Sequence, residues 1–346
     1  MSQASSRINF LVFGAGAIGG YLGGSLAAAG YPVIFLARGE TANELRKSGL
    51  RVTGEREIFI SPNEIEVITL DEDPDFETFD VFLFALKAYD TAAALDSIRA
   101  YIRKVPPVVC FQNGIGNEEA IAKVVGAENV IAGTVTTAVS RDAGRIRVDR
   151  LRGVGLAAGH PLSQPLANAM TAAGLNARLY PDGAAMKWSK LLANILTNAR
   201  SAILNKTPAE VVANRDAFRL ELKALRETLA VMKAMGLEVT DLPGLPMRAL
   251  AAAARLPAGL ARPLMARGVG RGRGDKMPSL HIDLHSGTGK SEVEWLNGAV
   301  VRAGERLGVP TPVNRMTRDT LLDMIRAGRE GALDRSGPPR INTNLS

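Results

Sequence analysis

Three groups of residues stand out for the chemistry that their types and spacing allow. The first is Gly14-Ala15-Gly16-Ala17-Ile18-Gly19, which follows the apolar run INFLVFG and opens the helix-like AIGGYLGGSLAAAG. In this setting Gly14 permits a tight turn, Gly16 lets the main chain approach a pyrophosphate, and Gly19 admits close packing of helix on strand. The unpaired N–H groups of the helix N-terminus complete a phosphate cradle. The second group follows the next apolar run, PVIFLA, which ends at Arg38 with Glu40 just beyond. An acid in this place accepts hydrogen bonds from a ribose 2′-hydroxyl, whereas an arginine grips a 2′-phosphate with two parallel bonds. Arg38 therefore points to NADPH; the competing arrangement has Glu40 on the ribose and Arg38 solvated. The third group is Lys190, Asn194 and Asn198 in KLLANILTN. At about 100° per residue they form one polar stripe on a single helix, while Leu191, Leu192, Ile195 and Leu196 take other faces. Asparagine is a poor helix former, and solvated stripes usually carry Glu, Lys and Arg, so this stripe suits the wall of a substrate pocket.

The elements that must position these groups alternate in the first half. INFLVFG, PVIFLA, DVFLFAL, PVVCFQN and NVIAGTVTTAV are short runs rich in Val, Ile and Phe, without polar alternation, as strands of a parallel sheet buried on both faces read. Helix-like pieces lie between them, which predicts an α/β fold: an N-terminal Rossmann-type doubly wound parallel sheet. GRIRVD and RGVGLAAG are expected as further strands, antiparallel at the edge of that sheet. After Pro181-Asp182-Gly183 almost every segment has helical periodicity, so the boundary is drawn there, with residues 1–181 as the nucleotide-binding domain and 182–346 as a mostly α-helical domain. MKWSKLLANILTNARSAIL is expected as one helix.

Composition narrows the partners. No apolar run is long enough for a membrane helix. The N-terminal MSQASSR lacks a signal-peptide pattern, and the single Cys110 has no disulfide partner within the chain. A cytoplasmic location is expected. The net charge is +7, but residues 255–276 hold six basic residues against Asp275 and so supply +5 of it. Without aromatic residues for base stacking this stretch reads as a solvated, mobile loop rather than an RNA tether, and no nucleic-acid partner is expected. HIDLH, with His281, Asp283 and His285, gives the two histidines the i, i+4 spacing of one helical face, yet with no third ligand in evidence no metal is expected. The apolar faces of the helical domain permit a homodimer.

Together these motifs make the chain resemble the ketopantoate reductase (2-dehydropantoate 2-reductase) family. The resemblance rests on GAGAIG, the arginine of FLAR, the lysine of LKAYD, QNG, WSKLLANILTN and SEVEWLNG, and runs from the first strand to the last helices. It implies a Rossmann domain followed by a helical domain, with the active site in the cleft between them. It also implies that residues 14–19 hold the pyrophosphate, Arg38 the 2′-phosphate, and Lys87 and Asn113 the nicotinamide side. By the same resemblance Lys190 is the general acid, Asn194, Asn198 and Ser279 hold the substrate's polar groups, and Glu292 accepts hydrogen bonds from a substrate hydroxyl. The chemistry is coherent, because reduction of a ketone builds negative charge on oxygen, which an ammonium stabilises and then protonates. Lys187 lies about 300° around the helix from Lys190 and shares that face only loosely. The expected activity is NADPH-dependent reduction of ketopantoate to pantoate, in pantothenate and coenzyme A biosynthesis. The alternatives are another branched 2-keto acid, an opine-type reductive amination, or an NADPH-binding regulator without catalysis.

Overall fold

A computed structural model describes residues 7–142, 144–273 and 276–329. Residues 1–6 of the polar N-terminal segment, Gly274 and Asp275 of the basic stretch, and residues 330–346 lie outside the described residues. The strands are β1 (Phe10–Phe13), β2 (Val33–Leu36), β3 (Leu50–Gly54), β4 (Ile58–Ile60), β5 (Glu66–Ile68), β6 (Val81–Phe84), β7 (Val108–Cys110), β8 (Val130–Val135), β9 (Ala138–Asp142), β10 (Arg145–Arg150), β11 (Val154–Ala157) and β12 (Ala177–Tyr180). Eight of them form one sheet in the order β12-β11-β8-β7-β6-β1-β2-β5, every pairing parallel except β11 with β8. The chain runs outward from β1 to β2 in one direction and from β6 to β7 in the other, so the topological switch point lies between β1 and β6.

Side chains alternate across this sheet, and both faces are buried. Phe10, Val12, Val81, Leu83 and Val109 belong to the core on one face; Leu11, Phe13, Phe82, Phe84, Val108 and Cys110 belong to the core on the other. Helices α1 (Ala17–Ala28), α2 (Gly39–Ser48), α3 (Thr91–Ser97), α4 (Asn117–Val125) and α5 (Ser163–Ala172) connect and cover the strands. RGVGLAAG joins the main sheet antiparallel to β8 as expected, but between β8 and β12 rather than at the edge, and GRIRVD does not join it. It forms β10, which pairs antiparallel with β9 and parallel with β3 in a second sheet of order β4-β3-β10-β9. Helix α1 lies against strands of both sheets.

That position explains the glycines of α1. A Cβ on Gly19 would collide with the carbonyl oxygen of Gly14, one on Gly20 with Ile146, and one on Gly23 would lie 2.7 Å from the Phe35 ring. Each glycine in a helix interior costs about 1 kcal/mol relative to alanine, a cost offset here by close packing on two sides.

The helices that follow are α6 (Gly183–Ile195), α7 (Asn198–Leu204), α8 (Pro208–Ala213), α9 (Arg215–Ala234), α10 (Met247–Arg255), α11 (Ala258–Arg273), α12 (Ser279–His285), α13 (Asn297–Leu307) and α14 (Pro312–Arg329). The basic stretch is therefore helical through Arg273 rather than a loop, although Pro263 sits inside α11. The chain divides into two compact units: Met1–Gln112, Gly116–Lys187 and Leu242–Leu245 in one, and Asn113–Ile115, Trp188–Asp241 and Pro246–Ser346 in the other. Helix α6 contributes its first turns to the one and its remainder to the other.

Because the clash at Gly19 is with main chain, it cannot be relieved by a rotamer change. Gly19→Ala is expected to lower the unfolding free energy by about 1–3 kcal/mol, read from urea denaturation of the cofactor-free protein.

Candidate functional site

In the first unit, the carboxyl ends of adjacent strands deliver the nucleotide-site residues. The turn after β1 has Gly14 at φ +97°, a left-handed value, and a Cβ there would lie 2.7 Å from Leu86 Cδ2. Gly16, the N-cap of α1, has open space instead: among the described residues nothing beyond its own neighbouring chain comes within 4 Å of where its Cβ would stand. Clearance at Gly16, the tight turn at Gly14 and close packing at Gly19 are the three properties a pyrophosphate-binding turn requires. Ala15, Ala17 and Ile18 complete it. Arg38 caps α2 directly after β2 and is exposed, as a group meeting a 2′-phosphate must be; Glu40 is exposed in the first turn of the same helix. Lys87, three residues beyond β6, is half-buried. The residues present fit a dinucleotide carrying an additional phosphate.

Three residues of this unit had no role in the sequence reading. Gln112, between β7 and Asn113, donates from Nε2 to Leu86 O at 3.1 Å and to Thr91 Oγ1 at 2.8 Å, which ties the end of β7 to the segment around Lys87. Arg141 of β9 donates to Ala15 O at 3.3 Å and pairs with Glu44 of α2 at 2.5 Å, so the second sheet reaches the glycine turn. Lys187 is the third. Only 5% exposed, its Nζ lies 2.7 Å from Glu118 Oε1 and donates to Gln112 O at 2.7 Å and Gly133 O at 3.3 Å. Burial by itself would lower its pKa, but the negative charge and hydrogen bond of Glu118 and its other acidic neighbours outweigh it, and the net shift is upward. Cys110 is held well above the ordinary thiol range, by burial first and then by Glu118, and is no nucleophile. The two lysines of MKWSK were visible in the sequence; the partner Glu118, far along the chain, was not.

In the second unit, the expected single helix breaks. Lys190 and Asn194 lie one turn apart on α6 and are half-buried, but Asn198 is the first residue of α7. The cause is Thr197, whose φ of +64° ends one helix and caps the next. The substrate-side residues nevertheless meet in pairs. Asn194 Nδ2 donates to Asn113 Oδ1 at 3.3 Å, and Asn198 Nδ2 donates to Ser279 Oγ at 3.3 Å while its Oδ1 accepts from Leu280 N at 3.1 Å. Gly114 packs on Trp295, and Ile115 N donates to Trp295 O at 2.9 Å, so the QNG and SEVEW segments are in contact. Glu292 is buried at the start of a 3-10 turn capped by Ser291. His281 bonds Asn205 at 2.8 Å and its ring lies 4.2 Å from that of His285; among the described residues no cluster of His, Cys, Asp or Glu could hold a metal ion.

A glycine turn with clearance for a pyrophosphate at the switch point of a parallel sheet, followed by helices carrying a lysine among carboxamides, defines a dinucleotide-dependent oxidoreductase. Residues 10–157 match the ketopantoate reductase PanE/ApbA family and residues 182–326 its C-terminal domain. The 2-dehydropantoate 2-reductase of Archaeoglobus fulgidus is 30% identical over 92% of this chain and 97% of its own. That of Mesorhizobium japonicum is 29% identical over 91% and 96%. Among solved structures, a PanE/ApbA family ketopantoate reductase from Ralstonia eutropha superposes with a TM-score of 0.76 at 24% identity, covering 93% of this chain and 100% of the other. A D-mandelate dehydrogenase with NADH and anilino(oxo)acetate gives 0.75 at 22%, covering 94% and 99%, a likeness of fold. The chain belongs to the ketopantoate reductase family. It is an oxidoreductase of that type, and NADPH is the family's cofactor. Among the described residues no helix is long and apolar enough to cross a membrane.

Replacing Lys187 would strand Glu118 next to buried main chain. Lys187→Met is expected to lower stability by about 3–5 kcal/mol at neutral pH. Because the folded-state pKa of Lys187 is raised, its contribution is complete below the unfolded value of about 10.4 and is lost as pH rises through the folded one. Denaturation midpoints of the two proteins should converge only at strongly alkaline pH.

Proposed function

We propose that the chain reduces 2-dehydropantoate to pantoate with NADPH, residues 1–181 serving the cofactor and 182–346 the substrate. The observation that carries this reading is the pairing of Asn113 with Asn194 and of Asn198 with Ser279, which gathers polar groups from separate segments around the helix that bears Lys190. When bound, NADPH supplies the hydride that goes to the keto carbon. Lys190 stabilises the charge growing on the keto oxygen and gives it the proton, so ketone, hydride and proton become the alcohol. Asn194, Asn198 and Ser279 hold the substrate's oxygens with neutral donors, and Glu292 accepts from its hydroxyl. Arg38 binds the 2′-phosphate, residues 14–19 the pyrophosphate, and Lys87 with Asn113 orients the nicotinamide. The reading places the enzyme in the cytoplasm, where Cys110 stays reduced, and allows a homodimer.

NADPH oxidation with ketopantoate and a panel of other 2-keto acids, with and without an amine, tests the assignment. Ketopantoate should give the highest kcat/KM; a better competitor would move the assignment to another branched 2-keto acid or to reductive amination, and no turnover at all would leave an NADPH-binding regulator. Lys190→Ala should lower kcat by about 10²–10⁴-fold with NADPH binding, followed by nicotinamide fluorescence, unchanged. Turnover close to wild type in that variant would remove Lys190 from the mechanism.

The 2′-phosphate assignment is tested at Arg38. Arg38→Ala should raise KM for NADPH by about tenfold or more while leaving KM for NADH unaltered. Equal cofactor use by the unmodified protein would defeat the phosphate role of Arg38.

A further inference from the structure

The turn from α6 to α7 is strained, and what holds it is remote in sequence. Thr197 is fully buried at φ +64° and ψ −15°, a left-handed conformation that β-branched residues rarely adopt. Its N–H, turned away from the helix ladder, donates to Glu221 Oε2 of α9, and its Oγ1 donates to Leu196 O at 2.7 Å. The other oxygen of Glu221 accepts from Arg200 Nε at 3.1 Å, and Arg200 Nη2 donates to Thr317 Oγ1 of α14 at 3.2 Å. Arg200 and Glu221 are 1% and 3% exposed. A buried ion pair gives little net stability over apolar residues of the same volume, and here the buried Arg200 Nη1 has no hydrogen-bond partner among the described residues, which lowers the return further. What the pair provides that apolar residues could not is an acceptor for the Thr197 amide. On one side of that amide stands Asn194, bonded to Asn113; on the other stands Asn198, bonded to Ser279 and Leu280.

We infer that Glu221, charged and oriented by Arg200, is a positioning residue for substrate binding: through Thr197 it fixes the separation and direction of the Asn194 and Asn198 carboxamides. The inference rests on the reading of Asn194 and Asn198 as substrate residues.

The test removes both charges together, so that neither is stranded. Arg200→Met/Glu221→Leu should fold with a melting temperature near wild type, raise KM for the 2-keto acid by about tenfold or more, and leave kcat and KM for NADPH within about threefold. Adding Thr197→Gly, which enters the left-handed region without strain, should return the substrate KM to near wild type. A folded double variant with wild-type KM, or a triple variant whose KM stays raised, overturns the inference. Should the double variant not fold, Glu221→Gln takes its place, with the raised KM and its recovery by Thr197→Gly again expected and an unchanged KM again decisive against. If the wild type reduces no 2-keto acid, the functional reading has failed, and amide exchange over residues 194–200 decides the positioning role by itself. Protection lost in the double variant and regained with Thr197→Gly supports it; protection unchanged in the double variant ends it.

Discussion

Helix α1 has to pass within main-chain distance of β1 while a second sheet closes on its other side. Side chains on the facing positions would make that impossible, and the sequence has Gly19, Gly20, Gly23 and Gly24 there, against the Gly14 carbonyl, Ile146, Phe35 and Leu50. The phosphate turn follows from this clearance. Because α1 begins so close to the end of β1, its first N–H groups open onto the switch point between β1 and β6. Because the second sheet covers α1, β9 can send Arg141 back to the Ala15 carbonyl. The glycine motif is thus a packing requirement along two turns of helix as much as a ligand requirement at its N-terminus.

The main sheet was legible because its strands are buried on both faces, and uninterrupted Val, Ile and Phe runs have few other uses. The second sheet was not. LRVTG and RIRVDR bury one face only and carry charges on the other, IFI is three residues long with Phe59 exposed, and AVSRD has no buried residue. The pairing of β3 with β10 joins Val52 to Ile146, far apart in sequence, so nothing local distinguishes RIRVDR from an edge strand of the main sheet. The roles of Gly14, Gly16 and Gly19 could be read from spacing because each depends on local main chain. The helix break at Thr197 could not, because no glycine or proline marks it. The left-handed turn there is imposed by a carboxylate from another helix, and the polar stripe drawn through Lys190, Asn194 and Asn198 assumed a continuity that Glu221 interrupts.

Lys187 and Lys190 show how burial sorts residues of one type. They sit within a turn of each other on α6, and either could stabilise an oxyanion. Lys187, however, is committed to Glu118 and two carbonyl oxygens, and its raised pKa describes an ammonium that loses three partners if it gives up its proton. A group in that position fixes main chain; a proton donor needs an environment that favours its neutral form about as well as its charged one. Lys190, three residues on, is half-buried and stands a turn before Asn194, which donates to Asn113.

The ion pairs Lys187–Glu118 and Arg200–Glu221 share a logic. Lys187–Glu118 holds carbonyl oxygens at Gln112 and Gly133, where β7 ends and β8 runs; Arg200–Glu221 holds the amide of Thr197, where α6 ends. Neither is well explained as a source of net stability, since desolvation of two charges consumes most of their attraction. Gly133 O lies within β8, whereas Gln112 O and the Thr197 amide lie just past the ends of β7 and α6, where the strand and helix ladders stop. Those are also the points from which Asn113 and Asn198 extend. Carboxamides displayed from chain ends are exact in direction only if the ends are, and a charged side chain from a distant element is what supplies that constraint once the helical and sheet ladders have run out.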